Sequence, residues 1–142
     1  MTSRPANSQD QSSIIDLLTQ LRSDYQPDEA QISADLQQII DDPLRNILLV
    51  LDDKKIVGMG VINIVIKLEK REARVDEVVV DGSMRGKGAG TFLMQEIEQW
   101  CWSQGCTAIE FTSRPERGAA NALYQKLGYQ IRETNVYHKS AQ

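Results

Sequence analysis

The sequence predicts one mixed α/β domain that spans residues 1–142. Two observations predict it. Apolar residues switch several times between periods of about 3.6 and 2, so helices and strands both occur along the chain. No repeat or low-complexity linker divides the chain, whose length is that of one ordinary domain. With 41% hydrophobic and 25% charged residues, the composition is typical of a soluble globular protein.

Two helices are predicted at the start of the chain. Apolar residues at i, i+3, i+4 and i+7 place the first at about Gln9 to Arg22, with Asn7 or Ser8 as its N-cap. Pro27 opens the second helix, which the sequence DDP ends. The short connection between them, SDYQPDE, is acidic.

Three antiparallel strands are predicted next. The apolar run Asn46 to Leu51, the turn DDKK and the run Ile56 to Ile66 form a hairpin. The charged stretch KLEKREAR then predicts a solvated turn, and Val75 to Val80 forms the third strand.

The second half alternates helices and strands. A glycine-rich loop leads to a third helix, which Gly105 ends. Ala108 to Ser113 is a buried strand, expected to lie parallel to Val75 to Val80 because a helix connects the two. The sequence RGAANALYQKLG predicts a fourth helix ended by Gly128, and YQIRETNVYHK predicts a final strand.

Charge and cysteine usage exclude several classes of protein. With 16 Lys and Arg against 20 Asp and Glu, the net charge of −4 argues against broad nucleic-acid binding. Cys101 and Cys106 lack metal-type spacing and are expected to be buried free thiols, with no metal bound. No apolar run approaches the ~20 residues of a membrane span, and the N-terminus lacks the apolar region of a signal peptide. A cytoplasmic protein is therefore predicted.

The loop DGSMRGKGAG is the most informative motif. It stands between a strand and a helix, where backbone N–H groups at the helix N-terminus can bind an anion. Gly86, Gly88 and Gly90 leave those groups unobstructed, and Arg85 and Lys87 add positive charge. A phosphate group is the expected ligand, although a tight turn alone would also use glycines.

Two familiar phosphate-binding loops do not fit. A Walker loop requires Ser or Thr after Lys87, where Gly88 stands, and a dinucleotide fingerprint requires glycine in place of Thr91.

The run RGKGAG after VVV resembles the acyl-CoA pyrophosphate loop of the GNAT N-acetyltransferase superfamily, and AANALYQKLGY resembles a later helix of that family. The resemblance implies a mixed, mostly antiparallel sheet that is splayed at its central strand pair and flanked by about four helices. It also implies one N-acetyltransferase domain, which transfers the acetyl group of acetyl-CoA directly to a primary amine of a small molecule or peptide.

The resemblance also assigns residues to the acetyl-CoA site. Backbone groups of Val78, Val79 and Val80 would bind the pantetheine arm, together with Asn121 and Tyr124. The pyrophosphate would be held by Arg85, Gly86, Lys87, Gly88, Ala89, Gly90 and Thr91.

Acetyl transfer to an amine needs a base for the amine and an acid for the leaving thiolate. Tyr124 matches the tyrosine that lies near the coenzyme sulfur in this family and would be the acid. Asp76 and Glu77 are candidates for the base, and strand alternation points them to opposite faces. Glu77 is preferred, although a β-bulge could re-aim Asp76, and both could instead be solvated charges.

Other nucleophiles and bases are less attractive. Cys101 stands among core-facing residues of a helix, and the single histidine, His138, lies in the predicted last strand. A covalent acyl-cysteine route is therefore not expected.

The acceptor is left open by the sequence. In the family it is usually held by the connection between the first two helices and by the final strands. Acidic residues there would suit a cationic amine, and basic residues would suit an anionic acceptor. Whether the final strand forms a homodimer is also left open by the sequence. The candidates are Asp24, Asp28 and Glu29 on one side and Arg114, Arg117 and Arg132 on the other.

One alternative function comes from a different class. A non-catalytic module that binds or senses acyl-CoA would have the same glycine loop without acetylating an amine.

Overall fold

The computed structural model describes residues 1–141. The chain divides into two compact units, residues 1–112 and residues from 113 onward. The two are described separately below.

The predicted helices of the first unit are present. A short 3₁₀ turn, Ser8–Asp10, leads into helix α1, Gln11–Leu21. Helix α2 is Glu29–Asp41, and helix α3 is Ala89–Ser103. The Asn7 side chain accepts a hydrogen bond from the Gln9 amide, so the predicted cap begins the 3₁₀ turn rather than α1 itself.

A five-stranded sheet runs through this unit in the order β1-β2-β3-β4-β5. All neighbouring strands are antiparallel except β4 and β5, which are parallel. The strands are β1 Thr2–Pro5, β2 Arg45–Asp52, β3 Lys55–Ile66, β4 Arg71–Val80 and β5 Ala108–Glu110.

Strand β1 was not predicted from the sequence. It is four residues long and mostly polar, so it carries no alternating apolar signal. Its place depends on its backbone pairing with the end of β2, and Arg4 also forms a salt bridge of 2.7 Å with the nearby buried Asp10. A strand partner so distant in sequence as β2 cannot be recognised from local sequence.

The prediction that KLEKREAR is entirely a solvated turn is wrong in its second half. Strand β4 begins at Arg71, so the turn is shorter than expected. The buried Glu72 is tolerated there because Lys67 and Lys70 lie 2.6 and 2.8 Å from its carboxylate. A charge run can thus belong to a strand when its members neutralise one another.

The two faces of the sheet are covered by different helices. Helices α1 and α2 pack on one face, where their apolar residues meet alternate residues of β2, β3 and β4 in one cluster. Helix α3 packs on the other face with the fully buried Leu93, Met94, Ile97 and Cys101.

Strands β4 and β5 pair only briefly. Their register covers Glu72–Arg74 opposite Ala108–Glu110, and no strand within residues 1–141 pairs with that side of β4 beyond Arg74. The fifth strand is shorter than the predicted Ala108 to Ser113 and pairs before Val75 rather than along Val75 to Val80. The sheet is therefore open beside the second half of β4.

The second unit contains helix α4, Gly118–Lys126. The helix ends before Gly128, whose φ angle is +96°. The predicted final strand at 129–139 is wrong, because residues 129–141 form neither strand nor helix. Ile131, Val136 and Tyr137 are 84%, 74% and 90% exposed. A segment with apolar residues forms a strand only when a neighbouring strand accepts its hydrogen bonds.

Candidate active site

A β-bulge interrupts β4 at its middle. Asp76 pairs with Val61 and Val79 pairs with Met59, so Glu77 and Val78 together stand opposite Gly60. Glu77 has a φ of +52°, in the left-handed region that non-glycine residues rarely adopt. A bulge with this backbone strain is typical of functional sites.

Gly60 is required by close packing. A Cβ atom added there would lie 2.7 Å from Cδ1 of Ile97, which is fully buried on α3. The single residue opposite the bulge therefore lets α3 approach the sheet.

The bulge opens onto a pocket of about 480 Å³ on the α1 and α2 side of the sheet. This volume is within the usual range for small-molecule sites. The pocket is lined by Ile14, Leu18, Arg22, Tyr25, Ile32, Asp35, Leu36, Gln38, Ile39, Arg45, Ile47, Met59, Val61, Asn63, Asp76 and Glu77.

The expectation that Asp76 and Glu77 point to opposite faces is wrong, since both line this pocket. In a regular strand, adjacent side chains alternate. Here the extra residue of the bulge removes the alternation, so Asp76 and Val79 both have partners on the α1 and α2 face of β3.

The pKa of Glu77 is raised above its ordinary value. Partial burial, which disfavours the charged carboxylate, is the main cause, and the nearby Asp76 charge acts in the same direction. Arg22 and Arg45 act in the opposite direction by attracting the ionised form. A carboxylate of raised pKa is a stronger base than an ordinary glutamate, as a general base requires.

A chain of polar contacts lies beside Glu77. The Nε of Arg45 donates to Oδ1 of Asn63 at 2.7 Å, and the Nδ2 of Asn63 lies 3.4 Å from Oδ2 of Asp76. The Nε of Arg74 is 3.6 Å from Oδ1 of Asp76. Asp76 is thus held by neighbours, whereas Glu77 makes no side-chain hydrogen bond or salt bridge within residues 1–141.

The glycine loop begins at an anchored turn. The carboxylate of Asp81 accepts hydrogen bonds from the amide and hydroxyl of Ser83 and from Nε2 of Gln20, and these bonds hold its pKa well below the usual range. The Gln20 side chain also accepts from the Gly82 amide at 3.1 Å. These contacts join the start of the loop to α1.

The rest of the loop leaves backbone groups uncovered. Gly86 and Gly88 have φ angles of +75° and +81°, and a Cβ atom at either would meet nothing within 4 Å. Gly88 is the N-cap of α3, and the first intrahelical donor is the Phe92 amide. The amides of Ala89, Gly90 and Thr91 therefore have no acceptor within the helix, as at any helix N-terminus.

The remaining predicted site residues are in the second unit. The Asn121 side chain donates to the carbonyl of Arg114 at 2.9 Å, which fixes the segment before α4. Tyr124 is buried, and burial raises its pKa, an effect that the Arg117 charge partly opposes. Its phenol is therefore protonated at neutral pH.

The acceptor residues predicted from the sequence belong to both units, and those of the first unit are not part of the pocket lining. Asp24, Asp28 and Glu29 do not line the pocket, and the Asp28 carboxylate accepts from the Gln31 amide as the cap of α2. Arg114, Arg117 and Arg132 belong to the second unit.

The cysteines and the histidine do not form a nucleophilic site. Burial raises the pKa of the Cys101 thiol to about 12 and also raises that of Cys106, so both are unreactive. His138 is exposed, with Ser140 at 3.0 Å.

Among residues 1–141, no group of three His, Cys, Asp or Glu side chains could hold a metal ion. None of the helices described is both long and apolar enough to cross a membrane.

Sequence reasoning missed six polar residues of the pocket. Asp35 and Gln38 lie on α2, and the other four are Arg22, Tyr25, Arg45 and Asn63. Tyr25 lies in the helix connection where acceptor contacts were expected. The other three carry no local signal, because only the pairing of β2 with β3 and the end of α1 bring them together.

Comparisons with known proteins identify the family of this chain. The sequence model of the acetyltransferase (GNAT) family matches residues 13–129. An uncharacterized N-acetyltransferase of Methanocaldococcus jannaschii is 32% identical over 72 residues, which are 50% of this chain and 32% of that protein. The match thus spans about a third of the length of that relative.

Two solved structures show the shared fold. A transcriptional regulator from Bacillus halodurans has a TM-score of 0.87 at 21% identity, with 98% of this chain and 99% of that chain covered. Glucosamine-6-phosphate N-acetyltransferase from Arabidopsis thaliana has a TM-score of 0.84 at 21% identity, with 97% of each chain covered. At these identities the likeness concerns the fold alone. The predicted mixed, mostly antiparallel fold is confirmed, and the chain belongs to the GNAT acetyltransferase family.

Proposed function

We propose that this protein is an N-acetyltransferase that transfers the acetyl group of acetyl-CoA to a primary amine of a small molecule or peptide, by direct attack within a ternary complex. The observation that carries the proposal is the glycine loop. Its amides at the start of α3, which have no acceptor within the helix, and its two cations follow a strand that is unpaired on one side beyond Arg74. The match to the GNAT family supports the same activity.

The residues present fit acetyl-CoA in two places. The amides of Ala89, Gly90 and Thr91 at the start of α3, with the charges of Arg85 and Lys87, suit a pyrophosphate. The open side of β4 at Val78, Val79 and Val80 offers backbone groups to an extended amide-containing arm, as an added strand would use them. Gly86 and Gly88 keep the approach free of side chains.

When bound, acetyl-CoA supplies the activated acetyl group. Glu77 accepts, directly or through a water, the proton that the amine must lose, and its raised pKa suits that role. A backbone N–H of Val79 or Val80 is suited to polarise the acetyl carbonyl. By the family resemblance, the phenol of Tyr124 would give its proton to the departing sulfur as the C–N bond forms and the C–S bond breaks. Solvent would then return a proton to Tyr124 and accept the one that Glu77 holds.

Asp76 is the weaker candidate for the base. Its carboxylate already lies near Asn63 and Arg74, whereas the Glu77 carboxylate is free to receive a proton. The non-catalytic alternative, an acyl-CoA sensor, requires the same loop but no base, so a pocket-lining glutamate of raised pKa, Glu77, favours an enzyme.

The test uses two glycines at opposite ends of α3. Gly88 and Gly105 have nearly equal φ angles, +81° and +82°, and both face open space. Valine at either position is strained, so both variants should lose similar stability. Only Gly88→Val should also weaken acetyl-CoA binding, because its side chain would cover the loop amides.

Binding is measured as the rise in melting temperature with acetyl-CoA and by calorimetry. At about 100 times the dissociation constant, acetyl-CoA should add roughly 2.7 kcal/mol to the stability of the wild-type protein and of Gly105→Val. Equal affinity in the two variants would refute the loop assignment. Binding without CoA release for any amine would favour the sensor.

A further inference from the structure

The pocket beside the bulge combines an apolar wall with charged groups of both signs. Eight of its lining residues are aliphatic or Met, contributed by α1, α2, β2 and β3. They are Ile14, Leu18, Ile32, Leu36, Ile39, Ile47, Met59 and Val61. Such a wall suits a hydrocarbon group better than a polyhydroxylated one, because hydroxyls placed there would lose their hydrogen bonds to water.

Two guanidinium groups in the pocket have N–H donors without a hydrogen-bond partner within residues 1–141. The Arg22 side chain, at the end of α1, makes no hydrogen bond or salt bridge within residues 1–141, and it is close enough to lower the pKa of Glu77. Arg45 uses only Nε, on Asn63, which leaves both terminal nitrogens without a partner in the same part of the chain. The Asn63 contact fixes the orientation of Arg45.

Three acidic groups line the pocket: Glu77 and Asp76 at the bulge, and Asp35 on α2, whose carboxylate already accepts a hydrogen bond from the Gln31 side chain. Glu77 and Asp76 give the pocket a site for an amine, and both arginines act electrostatically on Glu77. An acceptor with an amine alone would bring a positive charge near two unpaired guanidinium groups. An acceptor with a second, anionic group would neutralise them while its amine faces Glu77.

We propose that the acceptor is a small amino acid-like molecule, in which a primary amine, a carboxylate and an apolar side chain share one compact skeleton. Arg22 and Arg45 bind the carboxylate, the aliphatic wall holds the side chain, and Glu77 receives the proton of the amine. This inference rests on the proposed N-acetyltransferase function and adds its substrate class. It replaces the acidic acceptor set considered from the sequence, since Asp24, Asp28 and Glu29 do not line the pocket.

The first experiment compares acceptors that differ in one group. CoA release is followed with L-leucine, L-methionine and L-phenylalanine, with their amides, and with 3-methylbutylamine, which lacks the carboxylate of leucine. The free amino acids should have the highest kcat/KM, by roughly 10- to 100-fold over the amides, because hydrogen bonds to a charged group are lost. O-Phosphoethanolamine tests whether phosphate replaces carboxylate.

The second experiment removes one guanidinium group. Arg22→Gln should raise the KM for L-leucine roughly 10-fold or more relative to that for 3-methylbutylamine. Because Arg22 also lowers the pKa of Glu77, any change in kcat should be shared by the two acceptors. Arg22→Lys should recover part of the affinity. Lys54→Gln, which removes a cation from the β2–β3 turn outside this pocket, is the matched control and should behave as wild type.

The outcomes separate the substrate class from the activity itself. Equal or better turnover of the amides, of 3-methylbutylamine or of O-phosphoethanolamine would overturn the amino acid assignment while leaving the N-acetyltransferase function in place. Absence of acetyl-CoA binding would refute the function. L-Leucine is then titrated into the protein alone: binding that Arg22→Gln weakens supports the pocket, and no binding overturns it.

Discussion

The two halves of strand β4 carry the same residue type in opposite electrostatic states. Glu72, in the first half, is buried and held by Lys67 and Lys70, which lower its pKa to about 2. Glu77, in the second half, has no such partner, and partial burial raises its pKa. The first half is paired on both sides, by β3 and β5, whereas the second half is bulged and open on one side.

This difference indicates that Glu72 stabilises the fold, whereas Glu77 is suited to proton transfer. Hydrogen bonds from two ammonium groups keep Glu72 ionised, so it stabilises the fold and cannot readily take up a proton. Glu77 is placed where ionisation is disfavoured and its carboxylate is unoccupied. The bulge that strains the backbone at Glu77 also directs the Glu77 side chain to the pocket. Backbone strain that lowers stability is expected where the geometry serves function.

The largest expected effect is on catalysis at Glu77. Glu77→Gln should lower kcat by about 100-fold, the lower end of the usual contribution of a general base, while acetyl-CoA affinity stays the same. Wild-type kcat/KM should fall with decreasing pH as Glu77 is protonated, and its pKa lies above the ordinary 4.5. The decrease in kcat/KM that accompanies protonation of Glu77 should be absent in Glu77→Gln.

The matched control is Glu72→Gln, measured at a temperature where it is fully folded. It should retain near wild-type turnover, because Glu72 lies in the first half of β4. Equal losses in the two variants would contradict the division between the halves.

The next largest effect should follow from filling the space at Gly60. Gly60→Ala should reduce the free energy of unfolding by about 1–3 kcal/mol, the usual range for overpacking, because its Cβ would lie 2.7 Å from the buried Ile97. It should also displace the bulge and lower turnover.

Gly58→Ala on the same strand is the control. Its Cβ would meet its nearest atoms at 3.4 Å, which is an ordinary contact. Urea unfolding and CoA release measured on both variants test the pair, and equal stability would show that α3 does not depend on Gly60.

The smallest expected effect concerns the pH dependence of stability. The pKa of Glu72 falls from 4.5 to about 2 on folding, so its contribution is fully present above pH 4.5 and is lost as pH falls towards 2. Glu72→Gln should be modestly less stable at pH 7 and should show a flatter loss of stability between pH 5 and 3. Urea unfolding at several pH values measures the free energy of unfolding of both proteins. If the two free energies change in parallel as the pH is lowered, the assignment of this pH dependence to Glu72 is excluded.

Much of the fold could be predicted from local pattern. The hairpin Asn46 to Leu51 with Ile56 to Ile66 was predicted to within one or two residues, since long apolar strands leave a strong signal. The predictions for strand β1 and for the final segment were both wrong, because strand formation depends on a neighbouring strand. The short polar run Thr2–Pro5 is a strand because β2 pairs with it, whereas residues 129–139 pair with no strand.

For the candidate site, the sequence by itself determined the glycine loop. Its glycines and cations stand consecutively between a strand and a helix, so backbone chemistry alone indicates an anion site. Only the tertiary structure decided the pocket. Arg22, Arg45 and Glu77 come from three separate elements, and the bulge that brings Asp76 and Glu77 to one face arises from the mismatch between β3 and β4. Local periodicity determines the faces of regular elements, whereas the register between strands and the packing of helices determine which side chains meet.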